Sequence, residues 1–142
     1  MNASHLLMKK TGQRILIAEH QAVVRSALRG FLQGQPGLIV VGEAADSQEL
    51  LAGLEAACPD LVLLDWDLPG ESAAALISFP RQANCLMTPI IVLGVRPESA
   101  PAAMDAGADA FVYKGDGPNE LLTVIRSVLM RGEDTETNYA EA

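Results

Sequence analysis

A doubly wound α/β domain, with five parallel strands and helices on both faces, is the fold the sequence predicts, and three observations predict it. Short aliphatic runs alternate with helix-period segments, so no two strands adjoin in sequence and each parallel pairing has the crossover it needs. The run Leu61-Val62-Leu63-Leu64 is apolar at every position, opened by Pro59-Asp60 and closed by Pro69-Gly70, which is the pattern of a strand covered on both faces. A chain of 142 residues, 49% hydrophobic and 20% charged, has the size and balance of one domain with its own core.

Each element has its own signal. Ile15-Leu16-Ile17-Ala18 makes the first strand and ends at Glu19-His20. Val24, Ala27, Leu28 and Phe31 then recur at i, i+3, i+4 and i+7, a helix that stops near Gly34 and Pro36. Leu38-Ile39-Val40-Val41 is the second strand, and Asp46 with Glu49 forms a capping box that opens a helix whose apolar face is Leu50, Leu51, Leu54 and Cys58. After the third strand, Ser72 caps a short Ala-rich helix through Leu76 and Ile77 that Pro80 is expected to end. Pro89 opens Ile90-Ile91-Val92-Leu93, the fourth strand, which closes at Gly94. The following helix holds Ala100, Ala102, Ala103 and Met104, and with so few large side chains it is expected to pack least firmly. Ala110-Phe111-Val112-Tyr113 is the fifth strand, ending at Lys114, and Asp116 and Pro118 start a last helix with Leu121, Leu122, Ile125, Val128 and Leu129 inward.

The expected organisation is an N-terminal extension over 1–13, the domain over 14–131, and an acidic tail over 132–142. Glu133, Asp134, Glu136 and Glu141 meet no basic residue in the tail, so it is expected to be solvated and disordered. Ten Lys and Arg against 18 Asp and Glu give a net charge of -8, the wrong sign for neutralising phosphates, so direct nucleic-acid binding by this chain is not expected. No apolar run approaches the roughly 20 residues that span a bilayer, and Lys9-Lys10 follow the short apolar patch near the start where a secretory signal would have them precede it. A cytoplasmic protein without a membrane segment is the expectation. Cys58 and Cys85 follow no metal-ligand spacing and are read as buried free thiols in a reducing compartment.

Four of the five strands end in a distinctive residue: Glu19-His20, Asp65, Gly94 and Lys114. The flavodoxin-like strand order 2-1-3-4-5 brings these four ends side by side, at the carboxyl edge where ligands of parallel sheets bind. Taken singly, Asp65 can be a turn residue, Lys114 a surface lysine and Glu19 a solvated acid. Taken together they suit phosphoryl chemistry. A carboxylate attacks phosphorus when a fixed ammonium and a divalent cation offset the charge on the transferring oxygens. Asp65 would be the nucleophile, Lys114 the ammonium and Glu19 the second acid of a weak Mg2+ site.

Arg14-Ile15-Leu16-Ile17-Ala18 with Val23-Val24-Arg25, then Asp65-Trp66-Asp67-Leu68-Pro69-Gly70, then Ala106-Gly107-Ala108-Asp109-Ala110-Phe111-Val112-Tyr113-Lys114 occur in order and spacing. From about Arg14 to Met130 the chain thereby resembles the receiver domain of bacterial two-component response regulators, in the branch that usually carries a helix-turn-helix output domain. The resemblance implies that Asp65 is the phosphoacceptor, Lys114 the phosphoryl-binding lysine, Phe111 the switch aromatic and the backbone carbonyl of Asp67 a magnesium ligand. It implies a histidine kinase or phosphotransfer protein as partner, with a homodimer as a further association, and a signalling role, not an enzymatic one. A self-association or partner surface is expected on the helix between Pro97 and Gly107 with its neighbours, or on the first and last helices.

Two positions depart from the family pattern. The acidic pair after the first strand is Glu19-His20 where two aspartates are usual, and an imidazole suits transition metals better than magnesium. His20 reads as a loop histidine in preference to a ligand. Gly94 stands where the family has Thr or Ser, and it has no hydroxyl for a phosphoryl oxygen. These departures leave open a phosphorylation-independent binding module of the same fold. A remoter alternative, an aspartate-nucleophile phosphohydrolase, rests on Asp65-Trp66-Asp67 alone, lacks the usual Thr or Val where Pro69 stands, and leaves no room for a cap domain. Gly115-Asp116-Gly117 follows the last strand and lacks the third glycine of a dinucleotide fingerprint. No helix-turn-helix follows the last helix in the sequence, which is read as a single-domain regulator or as a regulator separated from its output domain.

Overall fold

A computed structural model of the protein describes residues 12–85 and 87–141, of which residue 82 and residues 132–141 are described by their backbone alone. The expected extension over 1–13 therefore lies outside the described residues as far as residue 11. Five strands form one parallel sheet in the order β2-β1-β3-β4-β5, with β1 at Gln13–Ala18, β2 at Leu38–Ala44, β3 at Leu61–Asp65, β4 at Ile90–Gly94 and β5 at Ala110–Tyr113. The helices are α1 (Ala22–Gln33), α2 (Ser47–Ala56), α3 (Ala73–Ile77), α4 (Phe79–Gln82), α5 (Ala100–Asp105) and α6 (Pro118–Glu141).

Alternation along the strands builds two cores. Ile15, Ile17, Leu61, Leu63, Ile91 and Leu93 face one side, where Leu32 of α1 and Leu121, Ile125 and Val128 of α6 cover them. Leu16, Val62, Leu64 and Val92 face the other, under Leu50 and Leu54 of α2, Leu76 of α3 and Ala103 of α5. Every residue of β3 is buried. Each of its four aliphatic side chains contributes about 1.5 to 3 kcal/mol on burial, an upper figure set by an extended unfolded chain. The strand that delivers Asp65 is thus firmly anchored, as is its neighbour β4, which is also buried at every position. β2 lies at the edge, and Ile39 and Val41 are exposed on it.

The capping box at α2 forms as the sequence implies: Asp46 Oδ1 accepts from the Glu49 N–H at 2.8 Å, and Glu49 Oε1 accepts from the Ala45 N–H at 2.7 Å. In α1 the deepest residue is Leu32, while Ala27, expected inward, is exposed. The helix after β3 differs from the expectation, because Pro80 does not end it. α3 stops at Ser78, whose hydroxyl donates back to the Ala75 carbonyl at 2.7 Å, and the chain restarts as α4 with Pro80 in its first turn. A proline that would break an interior is accepted there because the first-turn N–H has no partner to lose. α5 is packed lightly, with Ala103 buried and Met104 45% exposed.

One further expectation is corrected. Cys58 and Cys85 are joined in a disulfide across 27 residues, with Cα atoms 5.4 Å apart, and Cys58 is exposed. The reason lies in topology. The two residues precede β3 and β4, neighbouring parallel strands, so the loops that lead into them run together: Thr88 Oγ1 donates to the Pro59 carbonyl at 2.9 Å and the Val62 N–H to the Pro89 carbonyl at 3.0 Å. The backbone of α6 is continuous from Pro118 to Glu141. Gly132 costs a helix about 1 kcal/mol, and no proline follows to stop it.

Candidate functional site

Because β1, β3, β4 and β5 are consecutive neighbours in the sheet, their carboxyl ends fall in one row, and the structure brings Glu19, His20, Asp65 and Lys114 into contact there. Asp65 is the last residue of β3 and 0% exposed. Its Oδ1 accepts from the Asp67 N–H at 2.9 Å and from Lys114 Nζ at 3.2 Å. Its Oδ2 accepts from the His20 N–H at 3.3 Å and pairs with His20 Nδ1. Burial pushes the Asp65 carboxyl up. The bonds from the His20 side chain and the Asp67 N–H, with the Lys114 ammonium, outweigh it and hold the group below the usual carboxylate value. Asp65 is therefore ionised at neutral pH.

Glu19 is also 0% exposed, and its two oxygens differ. Oε2 accepts from the Gln21 N–H at 3.0 Å. Oε1 lies 2.7 Å from Lys114 Nζ, an ion pair by distance whose angles do not make a hydrogen bond, so this buried oxygen has no hydrogen-bond partner among the described residues. One ammonium thus serves two buried carboxylates. A buried charge is tolerated only when compensated, and the Lys114 ammonium stands against both carboxylates.

Glu19, His20 and Asp65 each offer one ligand atom, all within 4.8 Å of one another. Two carboxylates and an unbonded buried oxygen fit a divalent cation. The nitrogen in the set draws the fit toward borderline metals and away from magnesium. His20, read from sequence as a loop histidine, stands inside the cluster against Asp65.

Gly94 ends β4 with its backbone outside the left-handed region. The Phe111 ring fills the space over it: a Cβ built on Gly94 would lie 2.7 Å from Phe111 Cζ and 2.8 Å from Cε2. Phe111 is half-buried against the core that contains Val92. Asp67 is exposed and contributes its N–H to Asp65.

Two positioning residues were not singled out from sequence. Ser47, buried at the start of α2, accepts from the Glu71 N–H at 3.1 Å and donates its own N–H to the Pro69 carbonyl at 2.9 Å, pinning the turn after Asp65. Gly70 makes this approach possible, since it has φ +105° and a Cβ there would run into Ser47 Oγ. Arg25 Nη1 donates to the Glu19 carbonyl at 2.8 Å and its Nε pairs with Glu43 at 3.3 Å, fixing the turn after β1. Arg25 belonged to a matched motif; for Ser47 the sequence held no signal beyond its place beside a helix cap.

A parallel sheet in this order, with Glu19, Asp65 and Lys114 gathered at its carboxyl edge, defines a flavodoxin-like domain of the CheY-like receiver type. The chain belongs to the response regulator receiver domain family, which matches residues 15–126. It is 34% identical over 122 residues to the phosphate regulon transcriptional regulatory protein PhoB of Escherichia coli (strain K12), covering 84% of this chain and 52% of that protein. It is 36% identical over 124 residues to the transcriptional regulatory protein PdtaR of Mycobacterium tuberculosis (strain ATCC 25618 / H37Rv), covering 84% and 58%. The chain thus spans about half the length of the curated relatives it matches. Among solved structures it is similar to a LuxR-family two-component response regulator from Aurantimonas sp. SI85-9A1, with TM-score 0.76, 31% identity and coverage of 84% and 86%. It is also similar to a CheY-like receiver domain protein from Methanospirillum hungatei JF-1, with TM-score 0.75, 26% identity and coverage of 88% and 99%. Among the described residues, no helix is long and apolar enough to cross a membrane.

Proposed function

We propose that the chain is the phosphoryl-accepting part of a phosphorelay, in which a histidine kinase or phosphotransfer protein phosphorylates Asp65. The observation that carries this reading is a fully buried, ionised carboxylate at the end of β3 with the Lys114 ammonium 3.2 Å from it. In the transfer an Asp65 oxygen forms a bond to phosphorus as the donor's N–P bond breaks, and its electron pair returns to the donor imidazole. Lys114 offsets charge on the phosphoryl oxygens. Glu19, Asp65 and the backbone carbonyl of Asp67 would hold a divalent cation, which when bound neutralises further charge. Phe111 is the residue through which the change reaches the surface. Signalling without enzymatic turnover, a cytoplasmic location and self-association belong to the same reading, as does any DNA contact by an output domain of a longer protein.

A second reading is favoured by two contacts: His20 already bonds Asp65, and the Phe111 ring already fills the space over Gly94. A pocket so occupied suits a binding module that works without phosphate. Intact mass after incubation with a small acyl phosphate and magnesium decides between them. One added phosphoryl group, absent in Asp65→Ala, supports the first reading; an unmodified wild type supports the second.

A further inference from the structure

We propose that Cys58 and Cys85 form a reversible dithiol–disulfide pair that sets how firmly the α3–α4 segment is held. Three observations carry this, none of which depends on the phosphoacceptor reading. The first is asymmetry: Cys58 is exposed whereas Cys85 is 3% exposed, so an external thiolate meets the bond from the Cys58 side. The second is preorganisation by contacts other than the bond itself. Arg14 Nη1 donates to the Cys58 carbonyl at 2.7 Å and Thr88 Oγ1 to the Pro59 carbonyl at 2.9 Å, while the Cys85 N–H donates to the Pro80 carbonyl at 2.6 Å. Opened, the two sulfurs stay neighbours and can close again. The third is what the bond encloses: β3, Asp65, α3 and α4 all lie between the two cysteines in sequence. Within that stretch β3 is anchored on both faces, but α3 and α4 are only five and four residues long, and a cleft of about 280 Å³ lined by Ile77, Pro80, Arg81, Cys85 and Met87 lies along them. The freedom that the disulfide removes is therefore mostly that of α3–α4.

The reductant is a dithiol. Its first thiolate attacks Cys58 Sγ, giving a mixed disulfide and releasing Cys85 as thiolate. Its second thiolate then attacks the mixed disulfide, forming the dithiol's own disulfide and releasing Cys58. Two electrons pass from the dithiol to the pair, and the two cysteine thiolates take up the two protons that the dithiol loses. Oxidised glutathione, a disulfide, runs the exchange in reverse.

The test uses the full chain equilibrated in mixtures of reduced and oxidised glutathione or dithiothreitol, then acid-quenched, labelled with maleimide in denaturant so that the buried Cys85 is counted, and read by intact mass, with limited trypsin digestion of the folded chain read at Arg81 in α4. We expect no labels on the oxidised chain, two on the reduced chain, and return to none on reoxidation. Reduction should raise cleavage after Arg81 by about tenfold, the factor equivalent to about 1.4 kcal/mol of local opening, with unchanged far-ultraviolet circular dichroism. Cys58→Ser should match the reduced protein and not respond to dithiothreitol. The proposal is overturned by thiols that stay free in oxidised glutathione, by a glutathione adduct that stops at Cys58, by loss of the fold on reduction, or by a cleavage rate indifferent to redox state.

Discussion

The Phe111 ring rests on Gly94, so close that a Cβ on the glycine would lie 2.7 Å from Phe111 Cζ. The aromatic and a side chain at position 94 therefore exclude one another in this arrangement. The obstacle to a larger residue there is the ring, because the Gly94 backbone is not in the left-handed region.

This relationship predicts a coupling between the two positions. Gly94→Ala should destabilise the chain by about 1 to 3 kcal/mol, the usual cost of overpacking. In a Phe111→Leu background, where Cζ and Cε2 are gone, the same substitution should cost at least about 0.5 kcal/mol less. Urea midpoints of the four proteins close the cycle, and additive effects would show that the ring is not what Gly94 accommodates.

Lys114 is the one side-chain ammonium the described residues place against both Glu19 and Asp65, which are 0% exposed. Lys114→Ala should cost about 3 to 5 kcal/mol, the range for leaving a buried charge without its partner. Glu19→Gln removes one of the two stranded charges, so Lys114→Ala with Glu19→Gln should be more stable than Lys114→Ala alone. Equal urea midpoints for those two variants would mean that the ammonium serves Asp65 only.

Much of this was readable because it depends on patterns along the chain. The aliphatic runs locate all five strands, and the polar residues that end them, Glu19, Asp65 and Lys114, meet once the sheet has the order that crossover connections favour. What the sequence hid depends on contacts between segments distant in sequence. The disulfide needs the loops before β3 and β4 to run together, and no spacing between Cys58 and Cys85 encodes that. The bond from His20 to Asp65 spans 45 residues and makes a cluster member of a residue that local pattern reads as loop. The ring over Gly94 likewise joins β4 to β5, where the sequence shows only an absent hydroxyl.

His20 should set which cation the cluster takes. With nitrogen beside two carboxylates, the site should discriminate against Mg2+ more strongly than an all-oxygen site. The ratio of Co2+ to Mg2+ affinity, from calorimetric titration, should fall by about tenfold or more in His20→Asp, which supplies oxygen and removes the imidazole from Asp65 Oδ2. Comparing ratios matters because most sites prefer Co2+ to some extent. An unchanged ratio would return His20 to the role of a loop residue.

The same contact governs labelling of Asp65. An Asp65 oxygen held by His20 must give up that bond when the carboxylate attacks phosphorus, and a hydrogen bond to a charged group is worth about 1.5 to 3 kcal/mol. His20→Asp should therefore label with a small acyl phosphate at least about tenfold faster in magnesium than the wild type. Gly94→Thr by itself should bring no gain, because its side chain meets the Phe111 ring before it can reach a phosphoryl oxygen. Gly94→Thr with Phe111→Ala frees that space, and a gain seen only in the pair would trace the defect to the ring as well as to the missing hydroxyl. Stability is measured alongside, so that an unfolded variant is not mistaken for an inert one. If the wild type already labels as fast as folded His20→Asp, the pocket works as it stands and the phosphate-independent reading loses its main support; if every folded variant stays unlabelled, Asp65 is not a phosphoacceptor.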